Sequence, residues 1–351
     1  MNKDLFFMRK ALLLAKSANP SPNPRVGAVI VKNNKIISEG YHRKAGEDHA
    51  EIVAIKKINN KKDLQGSTLY VTLEPCNHYG KTPPCTDAII KSGIKKIIIA
   101  CQDPHKIAQG GISRLKKAGI KIKMGVLEKE AEEINTYFFY AMTHKRPYLI
   151  QKSAITLDGK IWSKKEKNIT GEKTKKEVHL LRNEVDAILV GVNTVLQDNP
   201  QLTCRIKNGK DPLRIILDSS LKIPLHANVL NDTHVLILTT DKKNKNKETA
   251  LKKKNINVLS LGKSLTPKKV LSFLHTKEIR SILLEGGTHM NTSFLPYANE
   301  FHLFIAPKLF GEIGSIPLFT KKMKKSFHII STSILDNDLY LIAKPKQAQS
   351  L

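Results

Sequence analysis

The chain has 351 residues, with 59 lysines and arginines against 31 acidic residues and a formal net charge of +28. That length is enough for two domains with separate cores, and four cysteines, of which Cys101 and Cys204 stand alone in sequence, argue against a disulfide framework and for a reducing, cytoplasmic setting. No apolar run approaches the ~20 residues that a membrane-spanning helix requires, so no membrane association is expected.

The first predicted element is an amphipathic helix around Met8–Lys16. Its apolar run is short, charges flank it on both sides, and no small-residue cleavage site follows, which distinguishes it from a signal peptide. Strands are predicted at Val26–Val31, Lys35–Ser38, Leu69–Leu73, Ile97–Ala100 and Ile120–Met124, with helices at Ala50–Ile58, Thr86–Gly93 and Glu128–Met142. Alternation of strands and helices argues for a sheet covered by helices. Arg146-Pro147 marks a break, which divides the chain into residues 1–145 and 146–351. Beyond it, Tyr148–Ile155, Ala187–Val190, Leu213–Asp218, His234–Thr239, Ile256–Ser260, Ser281–Glu285 and Glu300–Ala306 read as strands of a second α/β sheet. There is no internal repeat.

The positive charge raises a nucleic-acid reading, because lysine-rich surfaces bind phosphate backbones by releasing counterions. The lysines, however, are scattered over the whole length amid abundant Asn and Ile, the mark of an AT-rich coding bias. The densest run, Asp241–Lys247, is expected in a surface loop and has no interleaved aromatics to stack on bases.

Chemistry concentrates in two segments, His49-Ala50-Glu51 and Thr72-Leu73-Glu74-Pro75-Cys76 through Pro84-Cys85. Together they supply one imidazole, two thiolates and one carboxylate. Zinc takes soft sulfur and imidazole ligands in a tetrahedron, and a catalytic site keeps the fourth position open. His49, Cys76 and Cys85 are the candidate ligands, and Glu51 is the candidate proton carrier. The spacing suits the elements: His49 and Glu51 leave the first turn of one helix, Cys76 follows a strand stopped by Pro75, and Cys85 opens a helix whose free N–H groups favour a thiolate.

This first segment resembles the cytidine deaminase-like superfamily. The eight residues between the cysteines are more than the tight P-C-x-x-C arrangement of nucleic-acid and nucleoside deaminases, and the longer loop is similar to that of the bifunctional riboflavin biosynthesis deaminase and reductase family. Pro22-Asn23-Pro24, Val26-Gly27, Gly40-Tyr41-His42 and Gln102-Asp103-Pro104 match further motifs of that family. The resemblance implies a cytidine deaminase-like three-layer α/β/α domain followed by a dihydrofolate reductase-like α/β domain. It also implies a phosphorylated pyrimidine substrate held by Asn23, His42, His78 and Lys81.

In the second half, Thr156-Leu157-Asp158-Gly159-Lys160, Val190-Gly191 through Cys204-Arg205 and Leu283-Leu284-Glu285-Gly286-Gly287-Thr288 each join a strand to a glycine or polar segment. Such edges let backbone N–H groups approach an anion. In this order they resemble the reductase half of the same family. The resemblance implies NADPH contacts from Ala154, Asn168, Thr194, Asp198, Ser219, Gly287, Thr288, His289, Met290 and Asn291. It implies substrate contacts from Glu166, Arg182, Leu202, Arg205 and Glu285, and a planar guanidinium suits a sugar phosphate.

One departure stands out. Glu166-Lys167-Asn168-Ile169-Thr170-Gly171 occupies the place of a Ser-x-Trp-Ile-Thr-Gly segment, so an indole is lost and a negative charge is added near a phosphorylated ligand. Two other readings stay open at this point. One is a nucleic-acid or nucleotide deaminase with a non-reductase second domain; the other is a structural zinc closed by His78 as a fourth ligand. The sequence allows a homo-oligomer without specifying one.

Overall fold

The first unit runs α1 (Lys3–Ala15), β1 (Gly27–Lys32), β2 (Lys35–Tyr41), α2 (Ala50–Lys56), β3 (Thr68–Leu73), α3 (Cys85–Ser92), β4 (Lys96–Cys101), α4 (Gly111–Lys117), β5 (Lys121–Met124), α5 (Glu128–Glu133) and α6 (Thr136–His144). These elements belong to a computed structural model that describes residues 2–80, 82–105, 109–163, 166, 169–320 and 325–346. The chain divides into two units, Met1–Lys145 and Arg146–Leu351.

The five strands lie in the order β2-β1-β3-β4-β5, with β1 antiparallel to both neighbours and β3, β4 and β5 parallel. Residues Gly27 to Val31 of β1 are all buried, the pattern of a strand covered on both faces. The cover is fixed by two close approaches. A Cβ on Gly27 would lie 2.0 Å from the Ala11 carbonyl oxygen of α1, and one on Gly40 would lie 2.3 Å from the Ala50 carbonyl oxygen of α2. Ala28 pairs with Gly40, so Gly27 and Gly40 point to opposite faces of the pleat. Helix α1 therefore covers one face and α2 the other. Any side chain at Gly40 would push α2 off the sheet and carry His49 and Glu51 with it.

The helix predicted over Glu128–Met142 is two helices. Asn135 interrupts it, because its amide forms a two-way bond with the Arg25 backbone: Arg25 N–H donates to Asn135 Oδ1 at 2.7 Å and Asn135 Nδ2 donates to the Arg25 carbonyl at 2.9 Å. Asn135 is buried, so Asn135→Ala leaves both backbone groups of Arg25 without this partner. We expect a loss of about 2–3 kcal/mol, measured as a lower urea midpoint for the first unit with the second unit's transition unmoved.

The second unit runs β6 (Tyr148–Thr156), β7 (Lys160–Ser163), α7 (Glu172–Glu184), β8 (Ala187–Gly191), α8 (Val192–Asp198), β9 (Leu213–Leu217), β10 (Val235–Thr239), α9 (Lys245–Lys253), β11 (Asn257–Ser260) and α10 (Pro267–Thr276). It continues with β12 (Ser281–Leu284), α11 (Thr288–Phe294), β13 (Glu300–Ala306), β14 (Ser315–Pro317), β15 (Phe327–Leu335) and β16 (Asp338–Pro345). Nine strands form one sheet in the order β11-β10-β9-β8-β12-β6-β13-β16-β15, and β7 pairs with β14 separately. The strands from β11 to β13 are parallel, and the hairpin β15–β16 adds antiparallel.

Leu149, Leu189, Ile215, Leu236, Ile282 and Leu284 of the strands pack on Leu271 and Leu274 of α10 and Phe294 of α11. Each such fully buried side chain contributes roughly 1.5–3 kcal/mol. The chain builds outward from β8 to β11 and then returns to insert β12 between β8 and β6. In parallel sheets ligands bind outside the carboxyl ends of the strands at such a reversal.

Two expectations fail in this unit. The basic run Asp241–Lys247 is not all loop, because Asn244 accepts from the Lys247 N–H and caps α9, which starts at Lys245. Hairpin β15–β16 lies beyond the last predicted strand. The Ser331-Thr332-Ser333 centre of β15 and the exposure of that strand on both faces give none of the one-sided alternation that marks a half-buried strand.

Candidate active sites

In the first unit, His49 is the N-cap residue of α2, Cys76 follows β3 and Cys85 is the first residue of α3. Their donor atoms lie within 4.8 Å of one another. His49 Nδ1 is 3.2 Å from Cys85 Sγ and 3.5 Å from Cys76 Sγ, and the Cys85 N–H donates to Cys76 Sγ at 3.3 Å. A hydrogen bond from the Cys85 thiol, reinforced by His49, pulls the Cys76 thiol well below its usual range, while the same bond and burial push Cys85 up. All four cysteines are free. Two cysteine sulfurs and one imidazole, converging from three elements, suit Zn²⁺, which takes cysteine as the thiolate. Among the described residues His78 is not in this cluster, so the set has the three-ligand form of a catalytic site.

Glu51 is 3% exposed, and burial raises its pKa above the ordinary carboxyl value despite the nearby His49 charge. It lies in the first turn of α2, two residues from His49, and its carboxyl also bonds the Cys85 thiol. A carboxyl lifted towards neutrality in this way can both accept and release a proton.

A chain of hydrogen bonds extends the site. His42 Nδ1 lies 3.1 Å from the Asp48 carbonyl oxygen, which can only accept, so Nδ1 carries the proton and Nε2 accepts from Asn23 Nδ2 at 3.0 Å. Burial lowers the His42 pKa, in keeping with this neutral tautomer. The His42 and His49 rings meet edge to face at 5.0 Å. Asn23 and His42 are thus brought to the metal ligands. His78 stands apart, edge-on to His105 at 6.4 Å between ring centres, with a buried Nδ1 that has no hydrogen-bond partner among the described residues. Lys81 lies outside the described residues.

Residues that the sequence reading passed over hold the loop between the cysteines. Asn77 Oδ1 accepts from Thr86 Oγ1 at 3.1 Å and from Arg114 Nη1 at 3.0 Å, and Arg114 also reaches Asp87 at 2.5 Å. A Cβ on Gly111 would lie 2.0 Å from the Pro75 carbonyl oxygen, so glycine lets α4 close against the turn before Cys76.

In the second unit, Ala154, Thr194, Asp198, Ser219, Glu285 and Gly287 to Asn291 lie on or after the carboxyl ends of β6, β8, β9 and β12, four neighbouring strands. Gly191 and Gly287 are the N-cap residues of α8 and α11, and a Cβ on Gly191 would lie 3.1 Å from Met290 Cγ. A Cβ on Gly287 would meet nothing within 4 Å. That open space lies beside the free N–H groups with which any helix starts. Beneath α11, Asn291 Oδ1, Gln151 Oε1 and Ser153 Oγ are buried without a hydrogen-bond partner among the described residues. A cradle of free amides next to unsatisfied buried polar atoms fits a polar, phosphorylated dinucleotide.

Arg182 of α7 donates from Nε to Glu285 Oε1 at 2.7 Å, from Nη2 to Glu285 Oε2 at 3.1 Å and from Nη1 to the Thr203 carbonyl at 3.0 Å. Lys152 Nζ reaches the same Glu285 carboxylate at 3.4 Å. Burial alone would raise the Glu285 pKa, but the charges and hydrogen bonds of Arg182 and Lys152 overcome it and hold the group at about 2. Lys152 was not anticipated, although it sits two residues before Ala154 on β6 and so shares its face. Leu202 is buried in left-handed backbone at φ 58°, while Arg205 is exposed and bonds Gln201 at 3.3 Å. Glu166 does not stand as a bare charge, because Lys308 Nζ contacts it at 2.5 Å. Asn168 lies outside the described residues.

Comparison with known proteins bears on both units. A family model for the cytidine and deoxycytidylate deaminase zinc-binding region matches residues 1–101, and one for the RibD C-terminal domain matches residues 147–341. The riboflavin biosynthesis protein RibD of Aquifex aeolicus is 44% identical over 352 residues, covering 97% of this chain and 98% of that protein.

This chain belongs to the RibD family.

Solved RibD structures agree. One of Acinetobacter baumannii superposes with a TM-score of 0.90 at 33% identity, covering 98% of this chain and 99% of that one. A Thermotoga maritima diaminohydroxyphosphoribosylaminopyrimidine deaminase/5-amino-6-(5-phosphoribosylamino)uracil reductase gives 0.86 at 35% identity with the same coverage. As a member of this family, the protein is a bifunctional enzyme of riboflavin biosynthesis, a zinc-dependent deaminase joined to an NADPH-dependent reductase. Its fold is a cytidine deaminase-like domain followed by a dihydrofolate reductase-like domain. No helix among the described residues is long and apolar enough to cross a membrane.

Proposed function

We propose that residues 1–145 replace the C2 amino group of 2,5-diamino-6-ribosylamino-4(3H)-pyrimidinone 5′-phosphate by oxygen, releasing ammonia, and that residues 146–351 then reduce the ribosyl group to ribityl. The observation that carries the first step is the convergence of His49, Cys76 and Cys85 within 4.8 Å beside a buried Glu51. Zinc held by these three residues supplies Lewis-acid activation of water at neutral pH. Glu51 takes a proton from the incoming water and delivers it to the departing amine. Neutral His42, engaged through both ring nitrogens, fixes the amide of Asn23, which orients the pyrimidine edge by hydrogen bonds, and His78 and Lys81 contribute to substrate binding.

In the second unit, NADPH supplies the hydride when bound. Gly287, Thr288, His289, Met290 and Asn291, with Ala154, Asn168, Thr194, Asp198 and Ser219, hold the dinucleotide. Arg182, Leu202, Arg205, Glu166 and Glu285 orient the phosphorylated sugar, and Lys152 supports the Glu285 carboxylate from beneath. The substrate is a small molecule, and the reading includes no nucleic-acid partner: the positive charge is spread over the chain rather than gathered with aromatics. It places the enzyme's work in the cytoplasm.

A coupled assay on the purified protein, following ammonia release and NADPH oxidation separately, tests this reading. We expect stoichiometric ammonia and NADPH loss from the diaminopyrimidinone substrate. Treatment with a zinc chelator should abolish ammonia release, yet leave NADPH oxidation intact when the deaminated intermediate is supplied. Ammonia release that survives loss of zinc would refute the role of the metal set.

A further inference from the structure

The turn between β6 and β7 carries a single acid, Asp158. Its carboxylate accepts from the Thr156 hydroxyl, from the Phe310 N–H at 3.2 Å and from the Gly311 N–H at 2.8 Å. The Thr156 bond keeps the carboxyl below its ordinary pKa, so Asp158 stays ionised near neutral pH. The Leu157 N–H donates to the Lys308 carbonyl at 2.9 Å, so the segments that leave the carboxyl ends of parallel β6 and β13 are clasped side by side. From this clasp residues 312–320 run on as a strap. Its middle is β14, where Ser315, Ile316 and Pro317 pair with Ser163, Trp162 and Lys160 of β7, and the Leu318 N–H donates to the Gly159 carbonyl at 3.1 Å. Its far end meets α11: the Thr288 hydroxyl donates to the Pro317 carbonyl, and the Thr320 N–H donates to Thr292 Oγ1 at 3.2 Å. Thr288 belongs to residues 287–291, which would hold the dinucleotide, yet its hydroxyl is committed to the strap.

We propose that the strap is a cofactor clamp: Thr288 and Asp158 are positioning residues that fix its two ends, and NADPH on residues 287–291 and the ordered strap stabilise each other through the Thr288–Pro317 bond. The inference rests on the dinucleotide lying on that segment. The Thr288 backbone N–H and hydroxyl belong to one residue, so a phosphate that fixes the first also fixes the group that holds the strap. Linkage makes the coupling reciprocal: by whatever factor the ordered strap raises affinity for NADPH, NADPH raises the population of ordered strap. Antiparallel pairing of β14 with β7 carries that order along the strap. The Asp158 carboxylate fixes the near end beforehand, so less freedom is lost when NADPH binds.

Variants of the full chain, probed with NADPH and NADP⁺, test this. Thr288→Val keeps the shape and the backbone N–H but removes the hydroxyl; we expect the Kd for NADPH to rise about tenfold, the scale of one hydrogen bond, and Thr288→Ser to restore it. Asp158→Ala, at the other end of the strap, should weaken NADPH binding by a similar factor although its bonds run to Thr156, Phe310 and Gly311, and the loss should fall on KM for NADPH more than on kcat. Trp162, the one tryptophan of the chain, lies opposite Ile316, so NADP⁺ should change its emission in the wild type and not in Thr288→Val. Hydrogen exchange reads the coupling without substitution: NADPH should slow exchange of the Phe310 and Gly311 amides. Wild-type amides that do not respond overturn the clamp, as does a Thr288→Val protein of unchanged NADPH affinity or a Thr288→Ser protein as weak as Thr288→Val. Gly287→Asp tests the underlying placement of the cofactor, because a Cβ there meets nothing within 4 Å while a carboxylate repels phosphate. Unchanged NADPH affinity in Gly287→Asp overturns that placement and the clamp with it. Affinity lost in Gly287→Asp but kept in Thr288→Val and Asp158→Ala overturns the clamp alone.

Discussion

Glu51→Gln is expected to lower ammonia release by about 10²–10⁴-fold, the range contributed by a positioned proton carrier, while zinc content stays at one per chain. The substitution keeps the shape of a side chain that is 3% exposed and, because burial already favours its neutral form, adds no uncompensated charge to the pocket. It removes only the proton. Metal analysis and ammonia kinetics on the same preparation separate the outcomes. A variant that loses zinc together with activity would make Glu51 a support for His49 and Cys85, and one that deaminates at the normal rate would remove it from the chemistry. NADPH oxidation with the deaminated intermediate should be unaffected, since Glu285, Arg182 and Lys152 belong to the other unit.

Glu285→Ala should have the largest effect in the second unit, on stability and reduction together. Arg182 and Lys152 have side chains only 11% and 15% exposed, and both rely on the Glu285 carboxylate. Removing one partner of a buried ion pair leaves charge without compensation and costs about 3–5 kcal/mol. NADPH oxidation should fall at least ~100-fold, the scale of a lost interaction worth about 2.7 kcal/mol, with ammonia release retained. Glu285→Gln keeps the volume and part of the hydrogen bonding, so it should recover stability more than reduction.

The pH dependence follows from the same group. Its folded pKa is depressed to about 2, so its contribution is fully present above the ordinary carboxyl range and is lost as pH falls through that range towards 2. Above about pH 5, this carboxylate adds no slope to stability. Acid titration of the second unit should therefore show a step below pH 5 that Glu285→Ala lacks. A variant with unaltered acid unfolding would show that the triad contributes nothing net.

Much of the first site was legible because its chemistry is local. His49 and Glu51 share one helix turn, and Cys76 and Cys85 each adjoin a proline that ends or opens an element, so residue type and spacing sufficed. The strand positions of both sheets were legible for a related reason: buried parallel strands such as Ile97–Ile99 and Leu189–Val190 are continuous apolar runs. Where exposure removes that pattern, as in β15, sequence offered nothing to read. Asn135 inside an apparently continuous helix was equally silent, because the cause of the break is Arg25, 110 residues away.

By itself, then, the sequence determined which donor atoms are available, that they suit zinc, and that the chain alternates strands and helices on both sides of Arg146-Pro147. Tertiary structure alone decided which distant groups meet. Lys152 and Arg182 converge on Glu285 from 133 and 103 residues away, and Asn23 reaches His42 across a turn that no periodicity marks. Spacing along a chain constrains only neighbours within a turn or a strand. Contacts between strands depend on the strand order of the sheet, and here the position of β12 between β8 and β6 brings the Glu285 carboxylate to its two cations.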